Sequence, residues 1–534
     1  MVKVRNPIIR GFNPDPSIIR VGKDFYIATS TFEWFPGVQI HHSKNLADWR
    51  LIKRPLNRKS QLDMLGVPDS CGVWAPCLSH YEDTFYLIYS NVKSFDGIWK
   101  DTPNYLVTTQ DISDEWSDPI FIDSSGFDGS LFHDYDGRKW YSSMITDHRK
   151  GKFFGGIILQ EYDHSQRKLI GKKYRIFEGT ELGATEAPHI YKRNGYYYLI
   201  TAEGGTEYGH AISLARSRKI IGPYELHPGN PILSARNYPN ASLQKCGHGD
   251  LVDTAEGNWY SVFLTGRPLS IRGRCTLGRE TAIAPMIWED DNWLYHKEGS
   301  NPPLLEIEIS GIKSNEGSLK NLDRDNFDKA ELNSHFQSLR IPITDEWASL
   351  SSRIGFLRLY GRESLNSLHN QSLIARRVQS FHIEASTCLE FSPSSFQNIA
   401  GLVCYYNTAH WYYLNIFGDE DGTSKYLQII ASDNFEMNDI IPEPVNISNQ
   451  SKIYLKVVFK KADIQFYYGF FENDWRPIGP TLDGSKLSDD YVREGSNRYR
   501  PAFTGAFVGI CCQDLSGQGC HADFDWWDYN EKND

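Results

Sequence analysis

The feature that most constrains this chain is an internal repeat. Five short strand-like segments, DFYIATST, TFYLIYS, KWYSSMI, GYYYLIT and NWYSVFL, are rich in Tyr, Phe, Ile, Val and Thr, and each follows a turn signal: Gly22-Lys23, Glu82-Asp83, Asp136-Gly137, Asn194-Gly195 and Glu256-Gly257-Asn258. Each is preceded by a second segment of similar form: NPDPSIIRV, VWAPCLSHY, FDGSLFHDY, TEAPHIYKR and GHGDLVDTA. Taking Asp15, Trp74, Asp128, Glu186 and His248 as corresponding positions, the spacings are 59, 54, 58 and 62 residues. Units of three or four strands cannot bury both faces alone, so five of them must stack. Radial stacking protects the edges and predicts an all-β, five-bladed β-propeller over residues 1–305. The first strand of each blade lines the central axis, so acids distant in sequence converge at one mouth of the channel. The aromatic share of 13% fits strand-rich cores, and some of those rings could serve as sugar platforms.

After the fifth repeat the period is lost. Residues 306–325 are rich in Ser, Asn, Gly and charge and read as a linker. From 326 to 534, alternating segments such as FHIEASTCLEF, IAGLVCYYN, HWYYLNIFG and AFVGICCQD predict a two-sheet β-sandwich. With 534 residues, two domains are expected.

The net charge of −11 and the absence of a basic run argue against a nucleic-acid partner or an acidic polymer as substrate, and a neutral sugar fits. No run of apolar residues is long enough to span a membrane, and none follows the first residues as a signal peptide would require. Nine cysteines, an odd number without metal-ligand or redox spacing, fit reduced thiols, so a cytoplasmic location is expected.

The motifs NPDPS at 13–17, VWAP at 73–76, FDGSLF at 127–132, TEAPHIY at 185–191 and LGRET at 277–281, in that order and at blade spacing, resemble glycoside hydrolase family 43, in particular its two-domain β-xylosidases. The resemblance covers essentially the whole chain and implies a five-bladed β-propeller followed by a β-sandwich of the concanavalin-like jelly-roll kind. It implies an inverting exo-hydrolase that releases xylose from the non-reducing end of β-1,4-xylo-oligosaccharides. By matched motif, Asp15 is the implied general base, Asp128 the implied pKa modulator and Glu186 the implied general acid. Such chemistry needs one protonated and one ionised carboxyl group on opposite faces of the scissile bond, about 6.5–9.5 Å apart in an inverting enzyme. Burial and the charge of Asp128 would keep Glu186 protonated, and Arg279 would keep Asp15 ionised. Pro14 and Pro16 restrain the backbone on both sides of Asp15.

The remaining candidates for substrate binding are Arg279, Trp74, Phe32, Lys100, His248 and, from the sandwich, Phe503 as a pocket-closing aromatic. Each has a structural alternative: blade core for Trp74 and Phe32, a core histidine for His248, a solvated loop for Lys100, an ion pair for Arg279 and sandwich core for Phe503. No cofactor is expected. A divalent cation near His248 is the one metal considered, because some family members carry one. The resemblance also implies a homo-oligomer. Competing functions are an α-L-arabinofuranosidase on the same scaffold, an endo-acting arabinanase or xylanase, and a non-catalytic sugar-binding propeller. A retaining sucrose-cleaving enzyme is a further rival, but its first motif differs from Asn13-Pro14-Asp15-Pro16-Ser17.

Overall fold

The computed structural model describes residues 2–151, 153–299, 301–310, 324–494 and 501–532. Among the described residues the regular elements are strands, apart from two 3-10 turns and one short α-helix, Asp489–Arg493. The chain divides into two compact units, Met1–Gly273 with Arg279–Ser318, and Arg274–Gly278 with Leu319–Asp534.

The first unit is a ring of five antiparallel sheets, each a simple meander. Their first strands are Ser17–Val21, Gly72–Tyr81, Gly126–His133, Glu186–Arg193 and Gln244–Asp253, in blades I to V. Each first strand packs beside the next, and the fifth returns to the first, which closes the ring. The second strands, Asp24–Thr29, Thr84–Val92, Lys139–Thr146, Tyr196–Glu203 and Trp259–Gly266, are the aromatic and β-branched runs seen in the sequence. They are mostly buried because blade faces pack on blade faces, so their hydrophobicity is near-continuous rather than alternating. The hairpin turns need a left-handed residue. Gly195 takes it at φ 73° in blade IV, whereas blade II puts Glu82 there at φ 52°.

The start of the chain is sewn onto blade V. Asn6 Nδ2 donates to the Ile283 carbonyl at 2.9 Å, and the Ile283 amide donates back to Asn6 Oδ1 at 2.9 Å. Val2–Arg5 pairs with Glu306–Ile309, and Val4, Ile9, Ile307 and Ile309 join a core with Ile27, Val262 and Ile283. The expected linker therefore starts too early at 306, because Glu306–Ile309 is a paired strand of the first unit. Its central part, 311–323, lies outside the described residues. At its far end, Arg324–Asp325 pairs with His521–Glu531 of the second unit.

The second unit is a β-sandwich. One sheet runs Ala348–Ser349, Leu357–Tyr360, His521–Glu531, His382–Phe391, Ile453–Lys460, Asp463–Gly469 and Arg476–Asp483, and the other is built around Phe507–Asp514, Asn398–Asn407, His410–Gly418 and Lys425–Asp433. Side chains from both, such as Ile383, Ala385 and Leu389 against Leu402, Cys404 and Leu414, make one apolar core.

Candidate active site

One backbone irregularity recurs around the ring. Asp15, Ala75, Asp128, Ala187 and His248 all hold the left-handed conformation, at φ 55°, 34°, 57°, 50° and 46°. In blades II to V the pairing slips at this point, between Trp74 and Cys77, Phe127 and Ser130, Glu186 and His189, and Gly247 and Gly249. A β-bulge with a non-glycine left-handed residue stores about 1–3 kcal/mol of strain and re-aims the neighbouring side chains. The true correspondence is thus Asp15, Ala75, Asp128, Ala187 and His248. The sequence alignment at Trp74 and Glu186 is one residue early, because the extra residue of a bulge carries no glycine to mark it.

The three acids share one electrostatic environment. Asp15 is buried; its carboxylate accepts a 2.6 Å hydrogen bond from Ser30 Oγ and lies 3.4 Å from Arg279 Nη1 and 3.5 Å from His248 Nδ1. Glu186 keeps some surface open to solvent, yet its carboxyl is densely surrounded by protein. Burial, and then the charge of Asp15, push the Glu186 carboxyl up to about 8, against the opposing pull of Arg279. Asp128 is also raised, first by burial and then by the charges of Glu186 and Asp15; the Ala187 amide and Arg279 act the other way. A cluster of this kind, with carboxyls from three blades and one guanidinium, holds at least one proton at neutral pH.

Arg279 is buried just ahead of the strand Glu280–Trp288. Its Nη1 donates to Thr206 Oγ1 at 2.9 Å, and its guanidinium lies 5.3 Å from the Phe32 ring centre. The next residue, Glu280, is clamped by Arg267 at 2.7 and 3.0 Å and accepts from the Gly11 amide at 2.8 Å. That ties the segment leading to Asp15 to the strand that carries Arg279.

Phe32 and Trp74 lie 5.9 Å apart as members of a larger aromatic cluster. Trp74 meets Phe95 at 4.8 Å and Phe127 edge-on at 5.2 Å, and Phe153 packs against Phe95 and Phe127. Lys100 places its ammonium 4.4 Å from the Phe95 ring centre, and it donates to the Phe95 and Gly97 carbonyls. It fastens its own loop. Phe503 is buried in the second unit, with the Arg493 guanidinium 5.1 Å from its ring.

His248 is held neutral, since burial lowers it to about 4 and outweighs the attraction of Asp15. His210, which bears on His248, Arg279 and Asp15, is lowered to about 3 by burial. Among the described residues no group of three or more His, Cys, Asp or Glu side chains could hold a metal ion. Ser30, Thr206, His210, Phe95 and Phe153 were not singled out from sequence. Ser30 ends the repeat segment DFYIATST but carries nothing that marks it, and the other four sit in connections outside the named strands. Phe127 was within reach, since it precedes Asp128 in the FDGS motif.

A closed ring of blades whose axis gathers three interacting carboxyl groups, a guanidinium and an aromatic wall defines a propeller glycoside hydrolase. Residues 4–294 match the family described as Glycosyl hydrolases family 43, and residues 324–530 match the Beta xylosidase C-terminal Concanavalin A-like domain. The chain belongs to glycosyl hydrolases family 43. It is 50% identical to the beta-xylosidase of Bacillus subtilis (strain 168), over 99% of this chain and 100% of that protein. It is 49% identical to xylosidase/arabinosidase 43B of Humicola insolens, over 99% of this chain and 98% of that one. The crystal structure of xylan beta-1,4-xylosidase from Bacillus halodurans C-125 superposes with a TM-score of 0.96 at 50% identity, covering 99% of this chain and 100% of that one.

Proposed function

We propose that this protein is an inverting exo-β-xylosidase that releases xylose from the non-reducing end of β-1,4-xylo-oligosaccharides. The observation that carries the mechanism is the raised carboxyl of Glu186 beside a charge-bearing Asp15. In this reading the Glu186 carboxyl delivers its proton to the glycosidic oxygen as the bond from that oxygen to C1 breaks. Asp15 takes a proton from a water whose oxygen forms the new bond to C1 from the opposite face. The products are a free alcohol and xylose of inverted anomeric configuration, and each acid ends in the other's starting protonation state. The Ser30 hydroxyl and the Arg279 guanidinium both donate to Asp15 and hold its carboxyl in place for the water step. Asp128, raised by burial and then by the charges of Glu186 and Asp15, is the acid proposed to take up a proton as Glu186 gives its own away. Arg279 and the Phe32–Trp74 wall are the proposed sugar contacts, and His248 orients Asp15 from the channel side.

The test is a Glu186→Ala variant. Loss of a general acid typically costs about 10²–10⁴ in rate on xylobiose, and an aryl xyloside with a good leaving group should suffer far less. NMR of the first-formed anomer decides inversion against retention. A second reading, α-L-arabinofuranosidase activity, draws support from the Humicola relative, which is named a xylosidase/arabinosidase. The ratio of kcat/KM on 4-nitrophenyl β-xyloside and α-arabinofuranoside weighs the two. All nine cysteines are free and eight are buried, which supports a reducing compartment as the proposed location.

A further inference from the structure

Glu203 ends the second strand of blade IV, next in the sheet to the strand that Glu186 begins, and it is fully buried. Its carboxylate accepts four hydrogen bonds, and all four donors are neutral. Oε1 takes the Thr180 amide at 2.7 Å and Thr185 Oγ1 at 2.8 Å, while Oε2 takes Thr180 Oγ1 and, at 2.6 Å, Ser213 Oγ. Burying a carboxylate carries a desolvation penalty of several kcal/mol. A neutral residue of the same shape would avoid that penalty. What a carboxylate adds is acceptors only, which forces every surrounding hydroxyl to act as a donor in one fixed direction.

The donors reveal what is being held. Thr180 and Thr185 are the two ends of the segment that delivers the chain to Glu186. Between them the turn is compact: the Gly204 amide donates to the Gly183 carbonyl at 2.8 Å. At Gly179, φ 95°, an added Cβ would stand 2.0 Å from Thr185 Oγ1. On the far side of Glu186 comes the left-handed Ala187. Glu186 thus sits between two fixed points, the Thr185–Glu203 anchor and the bulge. The groups that shift the Glu186 carboxyl are Asp15 and Arg279, so Glu203 acts through position rather than through its field.

We infer that Glu203 is a positioning residue for proton transfer to the departing sugar: it clamps the 180–185 turn so that Glu186 points at the glycosidic oxygen. This rests on reading Glu186 as the general acid. A misplacement of about 1 Å can cost about 10²-fold in rate. Glu203→Ala should therefore lower kcat on xylobiose by about that factor, with KM little changed, and should spare 2,4-dinitrophenyl β-xyloside, whose leaving group needs no proton. Glu203→Gln should recover most of the loss. Its oxygen still accepts from the Thr180 amide and Thr185, and its NH2 can donate to the hydroxyls of Thr180 and Ser213.

Glu186→Ala is measured alongside on the same two substrates. If Glu186→Ala shows no leaving-group dependence, the assignment of Glu186 falls. If it does, but Glu203→Ala slows both substrates equally or neither, the positioning role is overturned. Should Glu203→Ala fail to fold, Thr185→Val removes one donor at nearly constant volume. It is expected to show the same selective loss on xylobiose, smaller in size, and equal loss on both substrates would overturn the inference in the same way.

Discussion

Arg279 Nη1 and Asp15 Oδ1 stand 3.4 Å apart, and both residues are buried at the mouth of the propeller axis. The guanidinium therefore acts on all three acids at once: it touches Asp15 and pulls Glu186 and Asp128 toward their ionised forms. Removing it has a definite sign. In Arg279→Ala, Glu186 should keep its proton to higher pH, since the one cation opposing its raised carboxyl is gone. The alkaline limb of the kcat/KM profile should move upward while the maximum falls, because the same side chain is the proposed sugar contact. A limb that stays in place would show that Glu186 does not set it.

The raised Glu186 carboxyl also leaves a mark on stability. Its folded value of about 8 lies above the ordinary 4.5, so the folded state binds the extra proton more tightly than the unfolded chain. The stabilisation from this group is complete below about pH 4.5 and is lost as pH rises through about 8. Glu186→Gln, which is neutral at every pH, should melt at a higher temperature than the parent at pH 9, by on the order of a few degrees, and should show no such gain at pH 5. Melting curves at the two pH values check this.

His248 lies 3.5 Å from Asp15, but with its titration lowered to about 4 it carries no charge where the enzyme would be assayed. The contact is then a hydrogen bond or dipole contact, not an ion pair. His248→Gln should leave the acid limb of kcat/KM between pH 5 and 7 in place. If that limb moves upward, the imidazole is charged in the free enzyme.

The left-handed residues in the ring give a stability prediction of unusual sign. In an ordinary strand, Ala→Gly is destabilising. At Ala75, φ 34°, and Ala187, φ 50°, glycine relieves backbone strain of about 1 kcal/mol or more, which offsets the buried methyl that is lost. Ala75→Gly should unfold within about 1 kcal/mol of the parent, whereas Ala75→Val should lose on the order of 2 kcal/mol. Chemical denaturation of the two variants decides.

Arg267 and Glu280 form a two-point pair whose carboxylate is completely buried. Arg267→Ala would strand that charge, and breaking one side of a buried pair costs about 3–5 kcal/mol. Replacing both, as Arg267→Met with Glu280→Gln, should recover much of the stability. It should still impair activity, because an amide oxygen accepts from the Gly11 amide less strongly than the carboxylate does and the approach to Asp15 loosens.

Several parts of this molecule were legible before any coordinates. The turn residues and the aromatic strands recur in register, so the number of blades followed from counting. Asp15, Asp128 and Glu186 lie at the heads of first strands, which is why their convergence could be expected. The bulge could not be seen. It adds one residue without a glycine, and it moved the equivalences at Trp74 and Glu186 by one position. Nor could the strand Glu306–Ile309, which a polar surrounding disguised as linker and which exists because Val2–Arg5 returns to pair with it.

The sequence alone determined the repeat, the all-β class, the change of pattern near residue 326 and the acids that head three of the five units. These are local or periodic properties, carried by side-chain alternation and turn chemistry along the strand itself. Only the tertiary structure decided the other groups around the site: Ser30 on Asp15, the Ala187 amide on Asp128, Phe95 and Phe153 around Trp74, and Glu203 beneath the Glu186 turn. Those contacts join residues from different blades or from loops of unequal length, and they form only when the ring closes and fixes distances that no spacing along the chain encodes.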